Sequence, residues 1–262
     1  MKIKIYQVDA FASKVFEGNP AAVCPLNEWL DDETLQKIAE ENNLSETAFF
    51  VPTDEDIELR WFTPLEEVDL CGHATLACAH VLYEHLEYSK PQIDFQTKSG
   101  KLIVTKTATA FSMNFPASMP VILNSGIPAD LTDALGNVNP TKVMAAFDYI
   151  IVLNSEEEVK NLNPDFSKWL NIDLRGVIVT AQGSNVDFVS RCFFPKLRVN
   201  EDPITGSAHC ELAPYWASVL NKNTLKARQI SARSGLVYCE LVNERVILTG
   251  SAVDYMTGEI TI

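Results

Sequence analysis

Two short segments of this 262-residue chain combine small residues with groups that hold or move protons. The first is Cys71-Gly72-His73-Ala74 and the second is Thr205-Gly206-Ser207-Ala208. Each stands where a largely apolar helix is expected to begin. The first N–H groups of a helix lack internal partners, and the helix dipole adds partial positive charge at that end. Such an end can bind a carboxylate or a phosphate. Gly72 and Gly206 would let a ligand approach the backbone closely. Ordinary helix capping by Thr205 or Ser207 is the plain structural use of the same residues. His73, in the first helical turn, can exchange a proton near neutral pH. Cys71 has two readings, a thiol of lowered pKa at a helix N-terminus or a small buried apolar residue.

Two carboxylates join these candidates. Asp202 precedes the second turn in Asn200-Glu201-Asp202-Pro203, where Pro203 holds it extended and fixes where its side chain leaves the chain. Its plainer reading is a solvated loop carboxylate. Glu46 lies in Leu44-Ser45-Glu46-Thr47-Ala48-Phe49-Phe50. On a strand it shares a face with Ala48 and Phe50, and partial desolvation there would raise its pKa toward that of a general base. A surface glutamate at a strand end is the alternative. Cys71-x-His73 and Cys78-x-His80 resemble zinc ligands, but seven residues of helix rise ~10.5 Å. Zinc needs its ligands at about 2.0–2.3 Å, so all four cannot share one ion. No metal is expected there, and Cys78 and His80 are assigned to the helix core.

The elements that must position these residues look duplicated. Arg60-Trp61-Phe62-Thr63-Pro64 with Val68 matches Arg191-Cys192-Phe193-Phe194-Pro195 with Val199 at an offset of 131, and the Gly-x-Ala turns come next at 134. The second copy is therefore three residues longer, and that insertion is expected to put Asp202 and Pro203 in a longer loop. In the first half, residues 2–8, 20–24, 47–51 and 57–62 read as strands and 31–41 as a helix capped by Asp31 or Asp32. Asn42-Asn43 can close that helix in a left-handed turn. Residues 72–87 read as a helix apolar most of the way round, hence buried. In the second half, 176–181, 186–193, 227–232, 236–242 and 245–249 read as strands and 206–220 as another apolar helix. The Pro- and Gly-rich stretch 116–140 is the expected connection. The chain is thus expected to form two domains, 1–118 and 119–262, with C-terminal strands that could return to the first.

Composition narrows the function. With 21 Lys+Arg against 35 Asp+Glu the formal net charge is −14, which argues against nucleic acid and anionic lipid as partners. Apolar residues make up 47%, as in an ordinary globular protein, and no run of about 20 apolar residues could span a membrane. The alternating start does not resemble a signal peptide, and six irregularly spaced cysteines read as reduced thiols. A cytoplasmic location is the expectation.

Four stretches carry a family resemblance, in order along nearly the whole chain. They are Val8-Asp9-Ala10-Phe11 with Gly18-Asn19-Pro20; Leu44-Ser45-Glu46-Thr47; Arg60 to Pro64 with Asp69 to Thr75; and Glu201 to Ala208. Together they resemble the PhzF family of phenazine-biosynthesis-like isomerases. The resemblance implies an α+β, diaminopimelate-epimerase-like fold, two pseudo-symmetric domains each curling a mixed sheet around a central helix, with the active site in the cleft between them. It also implies catalysis without cofactor or metal, and a homodimer. By position, Glu46 matches the acid/base glutamate, and His73, Asp202 and Ser207 match residues that hold substrate and assist proton movement. Asn19, Cys71, Gly72, Thr205 and Gly206 match the substrate-binding surroundings.

The implied function is a cofactor-independent isomerase that shifts a proton on a small carboxylated substrate. The alternative is a silent member of the fold that serves as a small-molecule-binding or protein-interaction module. A two-cysteine racemase mechanism is disfavoured, because Cys71 stands at the first cysteine position of such enzymes but Thr205 stands at the second.

Overall fold

Alternating apolar residues put Ile3 and Ile5 of the first strand into a core, and the small and β-branched run of the second buries Ala21, Ala22 and Val23. A computed structural model describes all residues 1–262, which divide into two compact units. One holds Met1–Asn114 and Thr249–Ile262; the other holds Phe115–Leu248. The second unit thus starts at Phe115 rather than at 119, and the C-terminal strand lies with the first unit, the alternative that the sequence left open. Strand Ala252–Thr261 runs antiparallel to Lys2–Ala10 from Thr261 opposite Lys2 to Ala252 opposite Ala10, which ties the chain's end to its beginning. The stretch 116–140 is part of the second unit rather than a linker. Its Leu131, Ala134 and Leu135 are buried in that unit's core, and the Trp169 indole N–H donates to the Leu131 carbonyl at 3.1 Å.

In the first unit, Lys2–Ala10 pairs antiparallel with Asn19–Pro25, which pairs parallel with Glu46–Pro52, then antiparallel with Ile57–Phe62, then parallel with Gln92–Thr97 and antiparallel with Gly100–Lys106. The second unit repeats these directions. Lys142–Ala145 pairs antiparallel with Tyr149–Val152, parallel with Val177–Gln182, antiparallel with Phe188–Phe194, parallel with Thr224–Gln229 and antiparallel with Gly235–Val242. A sequence match at half-length has become a match of strand direction. Helix Gly72–His85 buries every residue from His73 to Leu82, and helix Gly206–Leu220 buries all but one from Ala208 to Ala217. Each is a central helix wetted on little of its surface, as the apolar sequence requires. Helix Asp32–Asn42 is capped by Asp31, which accepts from the Thr34 N–H at 2.9 Å, and it ends at Asn43 with φ of +48°.

The same ion pair stands before each central helix. Arg60 donates from Nε and Nη2 to Glu67 Oε1 and Oε2 at 2.7 and 2.9 Å. Arg191 makes the same two bonds to Glu201, again at 2.7 and 2.9 Å. The guanidinium of Arg60 lies 5.1 Å from the centre of the Phe62 ring, and that of Arg191 lies 5.0 Å from Phe193. The three additional residues therefore fall between Phe193 and Glu201, where the 3₁₀ turn Pro195–Leu197 sits. This corrects the expected position of Asp202. It is the last residue of strand Val199–Asp202, opposite Cys192, just as Val68 lies opposite Trp61.

Arg191 also donates from Nη1 to the carbonyls of Val159 and Leu162, at 3.2 and 2.6 Å. Arg191→Met would strand a half-buried Glu201 and those carbonyls. Loss of one partner of such a pair costs about 3 kcal/mol, which denaturant unfolding would read as a lower midpoint at unchanged slope. An unchanged midpoint would show that the clamp adds nothing to stability.

Candidate active site

In the first unit, local backbone geometry brings four of the expected residues together. Gly18 has φ of +67°, and a Cβ there would lie 2.1 Å from the Ala10 carbonyl oxygen, so only glycine fits this turn. The loop before it is anchored where the Phe16 N–H donates to buried Asp9 at 2.8 Å. The turn delivers Asn19, fully buried at the start of its strand, and Ser45 donates to its Oδ1 at 3.1 Å. The parallel register then sets Ala21 opposite Glu46 on the neighbouring strand.

Glu46 meets His73 there. Glu46 Oε2 and His73 Nε2 are 3.0 Å apart, with side chains 18% and 7% exposed, and neither atom has a hydrogen-bond partner of good geometry. His73 Nδ1 lies 3.4 Å from Asn19 Nδ2 and 3.5 Å from Cys71 Sγ. Burial by itself would lower the pKa of His73. The neighbouring Cys71 and Glu46 side chains outweigh it and raise the imidazole well above its ordinary value. Burial, and then the Glu46 charge, push the Cys71 thiol up, so Cys71 is a buried neutral residue and not a thiol of lowered pKa. Cys71 occupies the N-cap of its helix and gives no side-chain cap.

Glu46, Cys71 and His73 offer ligand atoms within 4.8 Å of one another. They suit a metal poorly, because Glu46 faces Nε2 and Cys71 faces Nδ1. One imidazole presents one nitrogen to an ion, so the three cannot bind it together. The arrangement suits proton transfer instead: a carboxylate and an imidazolium in a nearly water-free setting.

The second unit places Asp202, Thr205, Gly206 and Ser207 around the start of its central helix. Thr205 is the N-cap and, like Cys71, gives no side-chain cap. Its hydroxyl donates instead to Asp202 Oδ2 at 2.5 Å. Gln229, fully buried on the adjacent strand, accepts from the Thr205 N–H at 3.0 Å and donates to the Asp202 carbonyl at 2.7 Å. Ser231 donates to the Pro203 carbonyl at 2.8 Å. The turn is thus fixed from behind by two residues that sequence reasoning did not single out. Their signal was a lone glutamine and a serine at the end of an otherwise ordinary strand, too weak to stand out.

Ser207 leads to a further group that the sequence reading missed. Arg175 donates from Nη2 to Ser207 Oγ at 2.9 Å. The same guanidinium binds both oxygens of fully buried Asp148, at 3.0 and 2.5 Å. Behind Asp148 lies Glu211, also fully buried, whose Oε2 accepts from the Asp148 N–H at 3.3 Å. Burial, and then the charge of Asp148, push Glu211 up to about 8. With Arg175 donating, the Ser207 O–H is free to donate forward. The visible signal was Glu211 itself, with His209 one of two polar residues in the buried stretch of an apolar helix.

Glu211 couples folding to pH. The folded chain holds a proton that the unfolded chain releases between its ordinary carboxylate pKa of 4.5 and about 8. Stability from this group is full below that window and falls as pH rises through it. Glu211→Gln keeps the size and the hydrogen bonds but cannot ionise. Its unfolding free energy relative to wild type should therefore rise between pH 5 and pH 8. A difference independent of pH would mean that Glu211 titrates alike in both states.

With this geometry in view, the comparisons with known proteins agree on one family. The profile of the PhzC-PhzF family, "phenazine biosynthesis-like protein", matches residues 8–258. A protein of Pseudomonas aeruginosa named as an uncharacterised isomerase is 52% identical over 258 residues, covering 98% of each chain. Another so named, from Halalkalibacterium halodurans, is 49% identical and covers 99% of each. Among solved structures, a PhzF-family protein of Enterococcus faecalis superposes over 100% of both chains with a TM-score of 0.97 and 48% identity. A hydroxyproline epimerase of Agrobacterium vitis, 9% identical, covers 99% of this chain and 92% of its own at a TM-score of 0.61, and shares the fold alone. The fold is α+β and diaminopimelate-epimerase-like. No helix is long and apolar enough to cross a membrane. By its profile match and its near-identical architecture, the chain belongs to the PhzC/PhzF family of phenazine-biosynthesis-like proteins, whose relatives carry isomerase names.

Proposed function

We propose that this protein is an isomerase that moves a proton between two positions of one small carboxylate-bearing substrate, with Glu46 as the acid and base. The observation that carries the reading is the Glu46–His73 pair, 3.0 Å apart and almost wholly buried. Glu46 as carboxylate takes a proton from carbon; the resulting carboxyl returns it elsewhere on the same molecule, so no electrons leave the substrate. His73, held cationic beside it, stabilises negative charge that develops as the C–H bond breaks. Cys71, as acceptor from the Nδ1–H at 3.5 Å, keeps its ring in place. In the second unit, Asp202, Thr205 and Ser207 are proposed to hold polar groups of the substrate, with the uncapped N–H groups after Cys71 and Thr205 for its carboxylate. The chemistry needs no group beyond these side chains.

The test is proton exchange in D₂O against a panel of small hydroxy and amino carboxylates, dihydro-hydroxyanthranilate included, read by NMR. Deuterium should enter one carbon of a turned-over compound. Glu46→Gln should lower that rate by about 10²–10⁴-fold while binding persists. A variant as fast as wild type would remove Glu46 from the mechanism. The chain is further proposed to act as a homodimer, for which light scattering should give twice 29.1 kDa.

A further inference from the structure

A second cluster of ligating side chains lies on the first unit, outside the Glu46 site. His80 and His85 come from the second half of the central helix, and Asp254 comes from the C-terminal strand that pairs with the chain's start. His80 is two turns beyond His73, ~10.5 Å further along the axis. Both imidazoles turn the same nitrogen to the same atom. His80 Nε2 is 3.1 Å and His85 Nε2 is 2.9 Å from Asp254 Oδ1.

We propose that His80, His85 and Asp254 form a site for one divalent transition-metal ion of the zinc type. The convergence is what the Glu46 cluster lacks: two rings contribute one nitrogen each, and the three ligand atoms lie within 4.8 Å of one another. Tetrahedral zinc with bonds of about 2.0–2.2 Å sets its ligand atoms ~3.4 Å apart. The observed separations need to open by only a few tenths of an ångström.

The two rings are already held. The Tyr6 ring packs on His85 with centroids 4.6 Å apart, and Phe111 meets His80 edge-on at 6.1 Å and 90°. The movable ligand is Asp254, whose side chain is 42% exposed against 11% for His80 and 25% for His85. Solvent therefore reaches the open side, where water completes the coordination. Two imidazole nitrogens and one carboxylate oxygen favour zinc and its transition-metal neighbours over calcium or magnesium, which take oxygen ligands. No step of the proposed proton transfer uses these residues, so the ion has a structural role, joining the C-terminal strand to the central helix.

Calorimetric titration of EDTA-treated, full-length protein with ZnCl₂ tests the proposal. One Zn²⁺ should bind per chain, Co²⁺ should bind there with visible d–d absorption, and Mg²⁺ and Ca²⁺ should not compete. His85→Gln and Asp254→Asn, both at exposed or half-buried positions, should each weaken binding by at least about tenfold. Zinc should also raise the Tm of wild type and not of the double variant, as binding to the folded state requires. The proposal is overturned if wild type binds no Zn²⁺, or if the folded double variant binds it equally well. The latter would place the ion elsewhere, for example on the buried thiols.

Discussion

The bidentate arginine–glutamate clamp is the interaction from which each unit's site is built. Arg60 with Glu67, and Arg191 with Glu201, fasten a central sheet strand to the short strand that leads into the central helix. A fork-to-fork pair fixes both distance and plane, which a lysine could not do. The aromatic ring under each guanidinium removes the remaining freedom. The residues just past the clamp are therefore delivered to a set place: Cys71 and His73 in one unit, Asp202 and Thr205 in the other. The second copy carries three more residues, yet its clamp distances equal those of the first. The extra length is taken up by a 3₁₀ turn before the glutamate, and the geometry after it is preserved.

Behind each clamp stands a helix that buries polar residues as well as apolar ones. His73, His80, His209 and Glu211 all lie in the buried stretches of the two central helices. An unpaired charge in such a setting costs several kcal/mol, so each must find a partner or lose its charge. His73 finds Glu46; His80 meets Asp254, yet burial still pulls its pKa below the ordinary value. Glu211 sits against Asp148, and its pKa rises. His209, like His80, has a lowered pKa. Its Nδ1 is bonded to the Thr205 carbonyl at 2.8 Å, its Nε2 has no partner, and burial pulls its pKa down to about 4. Two of these four buried groups, His73 and Glu211, are shifted up and two, His80 and His209, are shifted down, according to how burial balances against the neighbours each one meets.

The two units divide the chemistry unequally. The first holds a carboxylate and a histidine in direct contact, the pairing on which the proposed proton transfer rests. The second holds a serine, a threonine and an aspartate braced by Gln229 and Arg175, the arrangement that fixes hydrogen-bond direction. A duplicated scaffold has kept its clamp, its helix and its uncapped helix start in both copies. The side chains presented at that start differ between the copies.

Much of this was legible in the sequence because it is local. The 131-residue offset, the apolar helices at 72 and 206, the Asp31 cap and the Asn43 turn all rest on residue spacing and on backbone preferences that act within a few positions. The grouping of Glu46, His73 and Asp202 was readable through the chain's resemblance to the PhzF family. Partnership over long sequence distance was not readable. Nothing in the spacing pairs Asp254 with His80, or Arg175 with Ser207, or Gln229 with Thr205. The last strand alternates in burial only over its final four residues, and Lys2–Ala10 pairs with it along its whole length. The Pro- and Gly-rich stretch reads as a linker because breakers dominate it, whereas Leu131, Ala134 and Leu135 in the second unit's core decide its place. Sequence determined which groups are present and the local backbone that carries them. Tertiary structure decided which charge meets which, because desolvation and pairing depend on distances that only the closed fold defines.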